Sequence, residues 1–418
     1  MAGLVPAIHV FAAPIDLKAW MPGTRPGMTI LRPATFSSLL SKFRAMSDSL
    51  PAEATGLLTV DLSALTANWK TLAKRAAKAQ CAAVVKADAY GTGLEQAGRA
   101  LAKAGCETFF VATFDEALRL RTILPAVTIY LLNGLTPGSA ELVCGIDVRP
   151  VLGSLDEIEE WEAHADASGE EAPAAIHIDT GMNRHGISIA EAEAIAPKLV
   201  TDEYTFTPSL VMSHLACADE PEHALNKQQI EAFAAVAKKF PGIPASLCNS
   251  AGLLAFPEAH FDLVRPGISL YGARALNAGE NPMQPVVKLQ ARIVTVRNAK
   301  AGTTVGYGAR LKLPRDSKLA IVSAGYADGI FRAAGSSDNK KGGEAIVAGT
   351  RCNIAGRISM DLLAVDVTDV PEGKVKRGDL VTLIGDGISV DDLAGHARTI
   401  GYEVLTSLGK RWKRTYKE

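Results

Sequence analysis

The chain has 418 residues, is 48% hydrophobic and 21% charged, and carries a formal net charge of −1. That length suits two domains, and the composition is that of a soluble globular protein. Near-neutral charge leaves no global field to draw the chain onto nucleic acid or a membrane, and no apolar run approaches the ~18 residues of a membrane-spanning helix.

Six cysteines, at positions 81, 106, 144, 217, 248 and 352, are widely scattered with no C-x-x-C pair. Several lie in apolar runs, which suits buried thiols in a reducing, cytoplasmic setting better than a disulfide framework. The eight histidines form no H-E-x-x-H pair and no Cys/His cluster at zinc spacing, so no metal is expected.

Residues 1–50 hold prolines at 6, 14, 22, 26 and 33, which cut up their apolar stretches; no basic residue precedes Pro6 or Pro14, so the segment is not read as a signal peptide. It reads as a disordered extension, or as translated sequence upstream of a start near Met46. LLTVDLSALTANWKTLAKRA (57–76) follows as a strand and a helix, with Asp61 or Ser63 as its cap.

From residue 80 to 272, apolar strand-like runs alternate with helix formers. The runs are 81–87, 108–114, 128–134, 147–153, 174–180, 208–215, 245–250 and 261–272. Between them lie stretches such as LEQAGRALAKAG (94–105) and HALNKQQIEAFAAVAKKF (223–240), with apolar residues on one stripe. Eight strands each followed by a helix or helical turn predict a (β/α)8 barrel over residues 51–284. The alternative, an open doubly wound sheet, lacks a G-x-G-x-x-G after its first strand. After NAGENPMQP (277–285) the texture changes to short β-branched runs and turns, predicting a C-terminal β domain over 285–418. Residues 57–62 are a candidate to pair with that domain. SVDDLAGHARTIG (389–401) is its one expected helix, and the basic KRWKRTYK (410–417) reads as a solvated tail.

The stretch CAAVVKADAYGTG (81–93) delivers a lone lysine, Lys86, at the end of a buried-type strand. Such a lysine either reaches solvent along its stem or sits partly desolvated, with the free amine needed to form a Schiff base. Other strand ends carry Tyr90, His177, Asp179, Arg184, His214, Asn249, Ser250, Arg265 and Gly267. Singly these are weak signals. Together, polar residues at the C-terminal ends of barrel strands are the arrangement an active site on this fold requires, with Ser250 and the Gly267–Ile268 backbone in the last two turns, where barrels commonly bind phosphate.

AVVKADAYGTG resembles the lysine motif of the alanine racemases. HIDTGMNRHG, NSAG, VRPGISLYG, and TVGYGAR (304–310) with GRISMD (356–361) fit the same family in the same order, over about Leu57 to Tyr416. The resemblance implies a pyridoxal 5'-phosphate enzyme: a (β/α)8 barrel, a C-terminal β domain and a head-to-tail homodimer. It implies that Lys86 holds the cofactor and serves as one base. Tyr307, reaching over from the partner subunit, would be the other. Arg265 would face the pyridine nitrogen, and His214 would link it to Tyr307. Tyr90, Ser250, Gly267, Ile268 and Tyr402 would contact the phosphate, while Arg184 and Met360 would meet the substrate carboxylate. The implied reaction is interconversion of L- and D-alanine, supplying the D-isomer for peptidoglycan.

Three departures stand out. His177 replaces a lysine that many members carbamylate to orient the arginine, Thr92 replaces the histidine of the YGHG turn, and Ser359 replaces a common cysteine. Rival readings are a serine or broad-specificity racemase, a related decarboxylase, a non-catalytic cofactor-carrying protein, and a Schiff-base aldolase. The paired Lys86 and Tyr307 argue against the decarboxylase, the retention of Tyr307 and Met360 argues against the carrier, and residues 286–418 argue against the aldolase.

Overall fold

The computed structural model describes residues 54–169, 171–201 and 203–418. The extension expected at 1–50 lies outside them. Seven parallel strands run in chain order: Ala83–Val84, Thr108–Val111, Thr128–Leu131, Arg149–Leu152, Pro173–His177, Thr207–Met212 and Ala245–Ser246. An eighth, Leu263–Val264, pairs in parallel with Gln80–Cys81, the start of the Lys86 segment. Main-chain bonds close the ring on both sides of it. Arg265 donates to the Cys248 carbonyl at 2.9 Å, while Ala82 and Val84 donate to the carbonyls of Val264 and Pro266 at 3.0 Å. The strands read as continuous apolar runs because both of their faces are buried, by the barrel interior and by the outer helices. Phe109, Phe110, Ile176 and Val211 are fully buried.

The outer helices begin where polar side chains satisfy their free amides. Asp61 caps Leu62–Ala76 by accepting from Ala64 at 2.8 Å. Thr113 and Glu116 form a capping box on Phe114–Ile123, and Ser188 and Glu191 form another on Ile189–Val200.

The C-terminal domain is an eight-stranded sheet closed by a second pairing of Val287–Ala299 with Ser317–Val322. One of its strands comes from just before the barrel and one from the last residues of the sequence. Gly56–Asp61 pairs antiparallel with Val287–Ala299 and parallel with Lys413–Lys417. KRWKRTYK is therefore not a solvated tail. Trp412 is buried with its indole donating to the Asp328 carbonyl, and residues 413–417 form a sheet edge. The single helix expected at 389–401 is two, Val390–Ala397 and Gly401–Thr406. Arg398 breaks them apart by turning left-handed (φ 60°), and its amide donates to the Gly395 carbonyl.

Candidate active site

Lys86 opens onto a cavity of about 950 Å³ at the C-terminal ends of the barrel strands. Lys86, Tyr90, Arg184, His214, Ser250, Arg265, Gly267, Ile268 and Tyr402 all line it, as does His177. Six segments that are remote in sequence thus converge on one chamber.

The backbone beneath Lys86 is unusual. Ala87, Asp88, Ala89 and Tyr90 all have φ between 53° and 55°, a left-handed turn without glycine. A side chain in that conformation costs roughly 1–2 kcal/mol per residue, so the surrounding structure must over-determine it. Within the turn, Gly91 donates to the Ala87 carbonyl at 2.8 Å and Gly93 to the Asp88 carbonyl at 2.9 Å. Thr92, fully buried, donates its hydroxyl to the Ala89 carbonyl, which gives that departure a structural role. From outside, Arg414 donates to the Gly91 carbonyl from Nη2 at 3.1 Å and from Nε at 3.3 Å. Tyr271 donates its hydroxyl to the Val84 carbonyl at 3.0 Å and stacks on Tyr90 with centroids 4.6 Å apart.

Burial lowers the pKa of the Lys86 amine from its ordinary value; the charges of Arg184 and Arg265 lower it further, and Glu116 opposes them. A lysine so placed gives up its proton more readily than one in water, as carbonyl chemistry requires.

Arg265 is 3% exposed. Its guanidinium donates to the Ser246 hydroxyl, to the Ser213 carbonyl at 2.7 Å and to the Leu247 carbonyl at 3.3 Å. Every one of these acceptors is neutral. Burial brings its pKa down to about 10, so it stays a cation at neutral pH. His214 Nδ1 lies 3.4 Å from Arg265 Nη2, and burial with the neighbouring Arg265 and Arg184 charges holds the imidazole neutral. Burial, followed by the Arg265 charge, likewise keeps His177 neutral, with a pKa of about 3. Burial pushes the Tyr402 phenol up to about 12.

Across the chamber, Gly267 donates its amide to the Ser250 hydroxyl at 2.9 Å. A Cβ at Gly267 would fall 2.3 Å from the Tyr90 hydroxyl oxygen. Glycine here leaves room for a compact cradle of one hydroxyl, one phenol and backbone amides. The cationic groups lining the chamber are Lys86, Arg184 and Arg265, and the carboxylate among its lining residues is the exposed Glu403. Such a chamber fits a phosphorylated, carbonyl-bearing cofactor together with a carboxylate substrate: the lysine would meet the carbonyl, the cradle the phosphate, and the cations would balance the negative charge.

Two sequence-predicted residues stand apart. Tyr307 and Met360 belong to the C-terminal domain, do not line the chamber, and are 71% and 53% exposed. The segments that carry them touch, since a Cβ at Gly306 would lie 3.2 Å from the Arg357 amide. Sequence reasoning missed His185, Asn133 and Thr406 in the chamber wall, and it missed Glu116 behind Lys86. His185 could be suspected only by knowing that the loop after His177 folds back over the barrel. Glu116 is visible in sequence solely as the fourth residue of a capping box.

Barrel, β domain and lysine-centred chamber define a two-domain enzyme of the kind that carries pyridoxal phosphate on a barrel lysine. Residues 60–275 match the family described as alanine racemase, N-terminal domain, and residues 286–416 match alanine racemase, C-terminal domain. The chain belongs to the alanine racemase family. It is 51% identical over 359 residues to an alanine racemase of Methylobacterium sp. (strain 4-46), covering 86% of this chain and 97% of that protein. It is 46% identical over 365 residues to a biosynthetic alanine racemase of Agrobacterium fabrum, covering 86% and 93%. Among solved structures, that of the Bartonella henselae alanine racemase with covalently bound pyridoxal phosphate superposes with a TM-score of 0.81 at 39% identity, covering 87% of this chain and 99% of that one.

Proposed function

We propose that this protein interconverts L- and D-alanine with pyridoxal phosphate on Lys86, in a head-to-tail homodimer whose two chambers are each completed by the second copy. The observation that carries this reading is the acidified Lys86 amine beside Arg265 and opposite the Ser250–Gly267 cradle. Pyridoxal phosphate, when bound, supplies the electron sink that lets the substrate's Cα proton leave.

The chain's own residues do the rest. Tyr90, Ser250, the Gly267 and Ile268 backbone and Tyr402 hold the phosphate. Arg184 orients the substrate carboxylate, and Met360 from the second copy adds its backbone on the same side. Lys86 Nζ takes or returns the Cα proton on one face. Tyr307 of a second copy does so on the other, so the substrate need not turn over. Each positioned base contributes roughly 10²–10⁴-fold. Arg265 keeps its proton and donates only a hydrogen bond toward the ring nitrogen, which limits charge delocalisation and favours return of the proton to Cα. His214 passes this constraint on between Arg265 and the Tyr307 side. The exposure of Tyr307 and Met360 supports their service to a neighbouring subunit.

The physiological role we assign is supply of D-alanine to peptidoglycan in the cytoplasm. Six free thiols accord with a reducing compartment, and among the described residues no helix is long and apolar enough to cross a membrane. The purified protein should be yellow and should abolish the optical rotation of L-alanine, with serine and lysine as weaker competitors. Lys86→Ala should lack the red-shifted Schiff-base band. Unchanged rotation with every amino acid tried would overturn the proposal.

A further inference from the structure

The left-handed turn after Lys86 is imposed from outside, and Glu116 bears on its centre. This carboxylate is 8% exposed. Its Oε1 accepts from the Asp88 amide at 3.1 Å. Its Oε2 accepts from the Ala112 amide at 3.0 Å and the Thr113 amide at 3.4 Å. One side chain therefore ties the middle of the turn to the end of the adjoining strand Thr108–Val111. The Asp88 side chain does not compete for its own amide, because it accepts from the Leu94 amide and pairs with Arg119 at 2.8 Å. Strain in the turn would relax if residue 88 could rotate, and the bond from its amide to Glu116 opposes that rotation. Glu116 also sets a negative charge against Arg184 and Arg265 in the surroundings of the Lys86 amine.

We propose that Glu116 is a positioning residue: by fixing the Asp88 amide it holds the left-handed turn, and with it the Lys86 amine, in the orientation from which the lysine bonds its cofactor. This rests on the reading of Lys86 as the cofactor lysine. The neighbouring phosphate contact is held separately, because Tyr90 stacks on Tyr271 and Ser250 is fixed by Gly267. Loss of Glu116 should therefore weaken the covalent attachment while sparing the phosphate cradle.

The test titrates apoprotein with two ligands, pyridoxal 5'-phosphate, which can bond the lysine, and pyridoxine 5'-phosphate, which has no aldehyde and cannot. Glu116→Ala should weaken the first by about tenfold or more and the second by less than about threefold, the loss expected for a charged hydrogen-bond acceptor. Glu116→Gln keeps one acceptor oxygen and should fall between Glu116→Ala and the unaltered protein. Equal losses for both ligands would mean general loosening, and no loss would mean no positioning role; either overturns the proposal. Should Glu116→Ala fail to fold, Glu116→Gln alone decides by the same comparison of ligands. Lys86→Ala, run in parallel, should bind the two ligands alike, and its bound pyridoxal 5'-phosphate should keep the absorbance of the free aldehyde, with no red-shifted Schiff-base band and nothing fixed to the chain by borohydride. If the Schiff-base band persists, the assignment of Lys86 fails instead.

Discussion

The imidazole of His177 lies edge-on to that of His185, with ring centroids 5.2 Å apart and planes at 74°. The contact joins the barrel strand Pro173–His177 to the loop that carries Arg184. That loop is also pinned by main-chain bonds from Ile187 to the His177 carbonyl at 2.9 Å and from Asp179 to the Ile187 carbonyl at 2.8 Å. Gly153 forms the floor, since a Cβ there would lie 2.2 Å from the His185 ring. His177 is neutral because of burial and the nearby cations, so it brings no negative charge to Arg184 of the kind a carbamylated lysine would bring. Packing holds the loop instead.

Removing either ring should therefore misplace Arg184 before it harms the fold. His177→Ala and His185→Ala should each raise KM for alanine about tenfold with a smaller fall in kcat, as expected when a substrate-orienting group is displaced. Activity of the unaltered protein should not depend on bicarbonate, because histidine holds no stable carbamate. An unchanged KM in both variants, or stimulation by bicarbonate, would remove this account of the loop.

Tyr307 and Lys86 should complement each other between subunits. Lys86→Ala and Tyr307→Phe should each lose roughly 10²–10⁴-fold in turnover, with Tyr307→Phe still yellow. A mixed dimer of the two variants contains one chamber with both Lys86 and Tyr307 intact. Mixing after mild dissociation should restore activity, up to about half per mixed dimer if the two chambers act independently. Mixtures that never exceed the parent variants would rule out a base supplied by the second copy.

Much of the chamber could be read in the sequence because barrel strands announce themselves as short apolar runs, and their last residues fall on one face of the ring. Lys86, His214, Ser250 and Arg265 follow from that rule. The left-handed turn does not, for Ala-Asp-Ala-Tyr has no local preference for φ near +54°. Its cause lies in Glu116 and Arg414, 28 and 326 residues beyond Asp88 in the chain. KRWKRTYK misled for a related reason. A charged segment can alternate sides along a sheet edge, and only its partner Gly56–Asp61 reveals that it does. The break at Arg398 was hidden as well, since arginine is an ordinary helix former and the turn there is fixed by the packing of two short helices.

Gly267 can be tested by the smallest addition. A methyl group there would fall 2.3 Å from the Tyr90 hydroxyl and 3.0 Å from the carbon bearing it. The Tyr90 ring cannot retreat freely, because Tyr271 is stacked upon it. Overpacking of this kind costs about 1–3 kcal/mol, here at the expense of the cradle. Gly267→Ala should weaken binding of both pyridoxal 5'-phosphate and pyridoxine 5'-phosphate by about tenfold or more. That pattern differs from the aldehyde-selective loss expected at Glu116. Affinities for both ligands unchanged from those of the unaltered protein would show that the cradle does not hold the phosphate.

Lys86 should also burden the fold that carries it. Burial and the charges of Arg184 and Arg265 hold its pKa in the folded apoprotein below the ordinary lysine value of 10.5. In the pH window between those two values, the unfolded chain binds the extra proton. Stability therefore rises with pH across the window, and the cost of the buried charge is present in full below it. Lys86→Met removes the charge while keeping an unbranched stem of similar bulk. Its apoprotein should melt several degrees above the unaltered apoprotein near ~pH 6, with the gap closing as pH approaches the ordinary lysine value. Thermal melts of the two apoproteins across pH read this directly. A variant no more stable than its parent at low pH would show that the amine is not held at a cost, and that its readiness to lose a proton must come from the bound cofactor instead.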